Sequence, residues 1–160
     1  MPQITIEYMI MIPLLILQIF LFPLTAGWIM STWTESRQTL ALQETASYVG
    51  STIHQVYSAL NHESISAGAV TNQLEVPSSI EGYPYAGNAS FRALAPEDAQ
   101  ILDITLSLMG NRIVATTSVT LGSNVGWDND SIFMSNSSHS SLIAEKMANG
   151  TILLSFEGDN

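Results

Sequence analysis

Glu7 is the residue whose setting asks most for chemistry. It stands in Gln3-Ile4-Thr5-Ile6-Glu7-Tyr8, at the mouth of a run of Ile, Leu, Met and Phe with no further charge until Glu35 and Arg37. An ionised carboxylate in low dielectric needs a cation, and an ionisable group in a membrane segment marks function by default. No Lys or Arg lies nearby, so the cation able to serve Glu7 is an α-amine. At a water–headgroup boundary the same carboxylate would need no partner.

The other reactive residue types make weaker cases. Ser137-Ser138-His139-Ser140-Ser141 sets hydroxyls beside a base, but neighbours in a polar loop lack the third, orienting group that nucleophilic catalysis requires. Asp128-Asn129-Asp130 opens like a calcium loop and then departs from it. Ile132 takes the fifth position, Phe133 the sixth where glycine belongs, and His139 the twelfth where glutamate belongs. His54 and His62 are eight residues apart, whereas a helical metal pair wants a spacing of four. Glu63, Glu75, Glu81, Glu97, Asp98 and Asp103 read as solvated acidic surface. The expectation is a protein that is not an enzyme and carries neither cofactor nor metal.

Composition narrows the partners. The 160 residues carry a net charge of −10, and Arg37, Arg92, Arg112 and Lys146 are scattered, so no basic patch exists to bind nucleic acid. Cysteine is absent, which removes disulfides, thiolate zinc and thiol chemistry together. Any external domain must therefore be held by its own apolar core, which about 90 residues can supply.

Much of the apolar excess lies before Met30. Tyr8 to Met30 is interrupted only by Pro13, Gln18, Pro23, Thr25 and Gly27. As a helix these residues would span about 35 Å, enough to cross the hydrocarbon of a bilayer with some tilt. Pro13 and Pro23 would kink it, a defect better tolerated in lipid than in a soluble helix. Tyr8 at one end, with Trp28 and Trp33 at the other, sits where interfacial aromatics belong. A cleaved secretory signal would want a basic start and a small-x-small site. This stretch has neither, and Leu24-Thr25-Ala26 is a poor match.

Gln3-Ile4-Thr5-Ile6-Glu7-Tyr8 followed by an apolar helix resembles the class III signal peptide motif of archaeal type IV pilin-like proteins, Gln-x-Ser-x-Glu-Tyr, with Thr5 in place of serine. The resemblance implies cleavage by a prepilin peptidase between Pro2 and Gln3, leaving the hydrophobic helix in the mature chain. Residues 1–2 would be the remnant of a leader, and Glu7 would become the fifth mature residue. In such filaments the apolar helices leave the membrane and bundle as a core. There the fifth-position carboxylate neutralises the new N-terminal amine of its own chain or a neighbour, and a proline placed like Pro23 kinks the helix. The implied partners are further copies of the chain, as a helical homo-oligomer, together with the pilus assembly machinery and the membrane.

Beyond Thr34 the apolar residues Leu42, Ala46, Val49, Ile53, Val56 and Leu60 recur at spacings of four and three, a single seam on a helix. That spacing predicts an amphipathic continuation over 34–70, fading at Ser64 and stopped by Ser66-Ala67-Gly68. After Thr71 the period shifts toward two. Gln73–Pro77 reads as a short strand, and Ile132-Phe133-Met134 as another. Ile101–Met109 and Arg112–Leu121 alternate about Gly110-Asn111, which predicts a hairpin with Leu108 opposite Ile113, Leu106 opposite Ala115 and Leu102 opposite Val119. A second hairpin is expected about Asn149-Gly150.

The fold class that follows is α+β. Its long N-terminal helix is apolar over 3–33 and amphipathic over 34–70, and it packs against an antiparallel sheet in a head spanning 71–160. Sequons begin at Asn88, Asn129, Asn136 and Asn149, all in that head, which agrees with a head outside the cell where N-glycans attach. The functional expectation is a structural subunit of a type IV pilus-like filament serving adhesion or surface attachment, in the cell membrane before assembly and on the cell surface afterwards. The competing expectation is a single-pass anchored surface protein that never polymerises. A domain released by signal peptidase near Gly27 is a third.

Overall fold

The computed structural model describes residues 3–92 and 99–158, with residues 3–7 by backbone alone. Pro2, Glu97 and Asp98 lie outside the described residues, as do the side chains of Gln3 and Glu7. Helix α1 spans Gln3–Leu60. Eight strands follow: β1 (Gly68–Gln73), β2 (Tyr85–Arg92), β3 (Ala99–Leu108), β4 (Val114–Gly122), β5 (Val125–Trp127), β6 (Ile132–Met134), β7 (Ser141–Lys146) and β8 (Ile152–Glu157). The chain divides into two compact units, one ending at Arg37 and the other beginning at Gln38.

In the second unit, α1 lays its seam on a β-structure. Leu42, Ala46, Val49, Ile53, Val56 and Leu60 are all buried, as their spacing requires. Thr45 and Thr52 are buried on the same face, and each hydroxyl donates to a carbonyl one turn back, Ala41 O at 2.9 Å and Tyr48 O at 3.0 Å. Neither brings an unsatisfied group into the core. Tyr57 ties the helix to the sheet, since its hydroxyl accepts from Gly122 N at 3.1 Å and donates to Asn124 Oδ1 at 3.4 Å.

The helix ends at Leu60 rather than near Ser66. Two causes are visible. The seam has no apolar residue to bury beyond Leu60, and the Lys146 ammonium donates to Leu60 O at 2.7 Å and His62 O at 3.0 Å. A cation on the terminal carbonyls satisfies acceptors that a further turn would otherwise use. Gly68 is consequently no helix cap but the first residue of β1, paired with Lys146. The first strand thus precedes the Gln73–Pro77 stretch expected to form it. Leu74 and Val76 still point inward, but the β1–β7 ladder stops at Gln73↔Ser141.

The strands form two sheets where one was expected, ordered β4-β3-β2-β6 and β1-β7-β8-β5. All pairings are antiparallel except β5 with β8. The β3–β4 hairpin has the expected register, with Leu106↔Ala115 and Leu102↔Val119, and Leu108 N donates to Ile113 O at 3.0 Å. The ladder stops short of a two-residue turn because Met109 N donates to Pro84 O at 2.8 Å instead. At the β7–β8 turn, Met147 N donates to Thr151 O at 2.8 Å and Gly150 takes φ 85°, so the connection has the three-residue form with glycine in the left-handed position.

Strand β2 runs through Gly87 because the Phe133 ring stands over that position and a Cβ there would overlap it. Phe133 meets Phe156 edge-on at 4.9 Å, and Phe156 meets Trp127 at 4.8 Å, so an aromatic chain joins β6 of one sheet to β8 and β5 of the other. Tyr85 is fully buried and gives its hydroxyl to Pro77 O at 2.8 Å. Burial pushes its pKa well above the ordinary phenol value.

Candidate functional site

Among its described residues the first unit has no buried apolar core. Every large apolar side chain from Tyr8 to Trp33 is exposed, from 49% at Leu21 to 78% at Met9. None of the most apolar stretch of this run is buried. Contiguous apolar surface on this scale needs lipid or another protein against it. By length and composition this segment can cross a membrane.

Its polar groups are handled locally. Pro23 removes a backbone donor within α1, and two residues on, the Thr25 hydroxyl lies against Leu21 O at 3.1 Å and Phe22 O at 3.0 Å. Ser31 and Thr32 both donate to Trp28 O, Thr34 to Met30 O and Ser36 to Thr32 O, at 2.9–3.0 Å. Each Ser and Thr hydroxyl from Thr25 to Ser36 is thereby satisfied within its own helix, which lowers the cost of placing it against lipid or an apolar neighbour. At the end of the run the Arg37 guanidinium lies 4.8 Å from the centre of the Trp33 ring, a cation–π contact with the amphipathic character of an interfacial anchor.

Of the residues predicted from sequence, Gln3 and Glu7 lie in the first turns of α1, and Pro13 and Pro23 lie inside it. Asn88 is exposed but sits in the middle of β2, paired with Thr105 on one side and Ile132 on the other. Asn129, Asn136 and Asn149 are exposed in turns, and the Asn149 side chain accepts from Thr151 N at 3.0 Å. Nothing brings the four sequons together into one site.

The chemical candidates of the head remain apart as well. Asp128 Oδ1 accepts from Asp130 N at 3.2 Å, so this carboxylate shapes its own turn. Ser138 Oγ and His139 Nδ1 are 2.8 Å apart on the rim of an open polar cavity shared with Asn136 and Glu157. Among the described residues no group of three or more His, Asp or Glu could hold a metal.

Two features had no sequence signal. One is the capture of the α1 terminus by Lys146, 86 residues from Leu60. The other is Asp103, which accepts from the Ser118 hydroxyl at 2.6 Å and from Arg92 Nε at 2.8 Å. The Ser118 hydrogen bond, helped by Arg92 and opposed by partial desolvation, holds its carboxyl below the usual carboxylate range. Alternation alone marked Asp103 only as a polar-face residue.

No protein family model, curated protein or solved structure matches the chain.

Proposed function

We propose that this chain is a structural subunit of an archaeal type IV pilus-like surface filament, assembled through its hydrophobic N-terminal helix and serving adhesion or surface attachment. The observation that carries the reading is the contrast within one helix, whose first part is apolar on all sides and bare while its second part is striped and covered. A head that satisfies its own core needs no help to fold. A bare apolar helix joined to it is suited to holding the subunit in a membrane and then among other copies.

The Gln3-Ile4-Thr5-Ile6-Glu7-Tyr8 motif supplies the rest. Cleavage between Pro2 and Gln3 by a prepilin peptidase creates an α-ammonium four residues from Glu7. In a filament core that ammonium and the Glu7 carboxylate each need an opposite charge, and each can serve the other or its counterpart in a neighbour. The acidic head, with acceptor sequons at Asn88, Asn129, Asn136 and Asn149, would form the outer surface.

N-terminal sequencing of protein from cells is the direct test, with Gln3 expected first. Glu7→Ala should leave membrane insertion intact and abolish filaments. A chain that begins at Met1, stays in the membrane and never polymerises would favour an anchored surface protein instead.

A further inference from the structure

Gln18 lies midway along the apolar run, ten residues from Tyr8 and ten from Trp28. At about 1.5 Å per residue, its Cα is about 15 Å from either aromatic, farther than a glutamine side chain reaches. It cannot snorkel to water as a lysine near a helix end would. The hydroxyls of Thr25, Ser31, Thr32, Thr34 and Ser36 are satisfied by carbonyls of their own helix. The Gln18 amide has no such bond among the described residues. In hydrocarbon it therefore presents two N–H donors and one carbonyl acceptor with nothing to meet them.

Its surroundings give a direction. Leu15, Gln18, Ile19 and Phe22 line one shallow groove, and Phe22, Thr25, Ala26, Ile29 and Trp33 continue it along the same face. Steps of three and four along this line are those of a helix–helix seam. Thr25 and Ala26 provide the smaller side chains that let two backbones approach.

We propose that two copies of the chain pair through this face while still in the lipid, with their Gln18 amides hydrogen-bonded to each other across the interface. The partner is a second copy for two reasons. A carboxamide is both donor and acceptor, so the same residue is its own complement. Copies inserted the same way also hold Gln18 at the same depth. This rests on the membrane reading of α1 and deepens it by naming which face associates first.

The chain contains no cysteine, so introduced thiols report alone. Phe22→Cys places a thiol on the Gln18 face. Phe20→Cys, about 200° around the helix from Gln18, is its size-matched control. Purified full-length protein in phosphatidylcholine vesicles is oxidised and disulfide-linked dimer is followed with time. Phe22→Cys should link several-fold faster than Phe20→Cys, and adding Gln18→Leu to Phe22→Cys should slow it about threefold to tenfold. Equal rates at the two positions, indifference to Gln18→Leu, or dimer seen in cell membranes but not with the purified chain would each overturn the proposal. Alkaline carbonate extraction of the same vesicles reports on insertion separately. Protein that carbonate strips would overturn the membrane reading and this inference together, whereas retained protein that fails to link overturns only the pairing.

Discussion

Ile53 and Ile29 belong to the same helix, yet Ile53 is fully buried and Ile29 is 62% exposed. The two residues stand for the two units. From Gln38 onward the seam of α1 is buried, with side chains of β3 and β4 against it at Gly50, while from Tyr8 to Trp33 every large apolar side chain of the helix is exposed. The difference is one of pattern rather than of hydrophobicity alone. A stripe can be hidden by a single layer, but a helix apolar on every side can be hidden only by an environment around it. One unit is therefore built to be stable alone, and the other to be stabilised from outside.

The strongest way to break that contrast is to separate the units. Removing residues 1–37 should change the chain from one that requires lipid or detergent to a water-soluble monomer. Size-exclusion chromatography and a cooperative thermal transition of the Gln38 fragment would check this. Aggregation, or a transition without cooperativity, would mean that the first unit helps to build the head.

A matched pair of truncations sharpens the contrast next. Ile104 is fully buried in β3 with its side chain near Gly50 of α1, and Ile104→Ala should lower the unfolding free energy of the head by about 2–5 kcal/mol. Ile29→Ala removes the same atoms from the uncovered part and should leave head stability within about 0.5 kcal/mol. Chemical denaturation of both variants in one detergent reads the difference directly. Equal losses would erase the distinction between the units.

Tyr57 tests a smaller link within the covered part. Tyr57→Phe keeps the ring but removes the acceptor for Gly122 N and the donor to Asn124. A loss of about 0.5–1.5 kcal/mol in the same denaturation assay is expected.

What the sequence made legible follows from how local each determinant is. The seam from Leu42 to Leu60 and the β3–β4 register were readable because side-chain period is a local property and one buried face fixes it. Strand β2 was not. Its Gly87-Asn88 pair has the composition of a turn, and the Phe133 ring and the Leu106 side chain, brought by the two neighbouring strands, explain the glycine. The division into two sheets and the parallel β5–β8 pairing are likewise choices between partners far apart in sequence. The end of α1 was misplaced because the glycine signal at Gly68 belongs to a strand, while the actual terminal partner is Lys146. In the N-terminal unit, the apolar span and its polar exception Gln18 were plain from composition. That each neighbouring hydroxyl is internally bonded, leaving the amide as the exception, became visible only from the geometry.

The gentlest test concerns charge, on the polar face that β3 turns away from the core. Asp103 receives the Ser118 hydroxyl and the Arg92 guanidinium, and its carboxyl titrates below the ordinary value of 3.8. A group whose folded pKa is depressed binds protons more readily in the unfolded chain, so its contribution to stability is present above the unfolded pKa and is lost as pH falls through the folded one. Arg92 is 53% exposed, so screening by water and salt keeps that contribution within about 1 kcal/mol. Asp103→Asn should therefore be slightly less stable than the parent from neutral pH down to about pH 4, with the gap closing below that as the parent's carboxyl takes up its proton. Urea midpoints for the two proteins across that range would show the convergence. A gap that persisted to pH 2 would assign the effect to the shape of the side chain rather than to its charge. The comparable experiment on the N-terminal unit has a different control variable, because there the medium around the helix, rather than pH, decides what its surface costs.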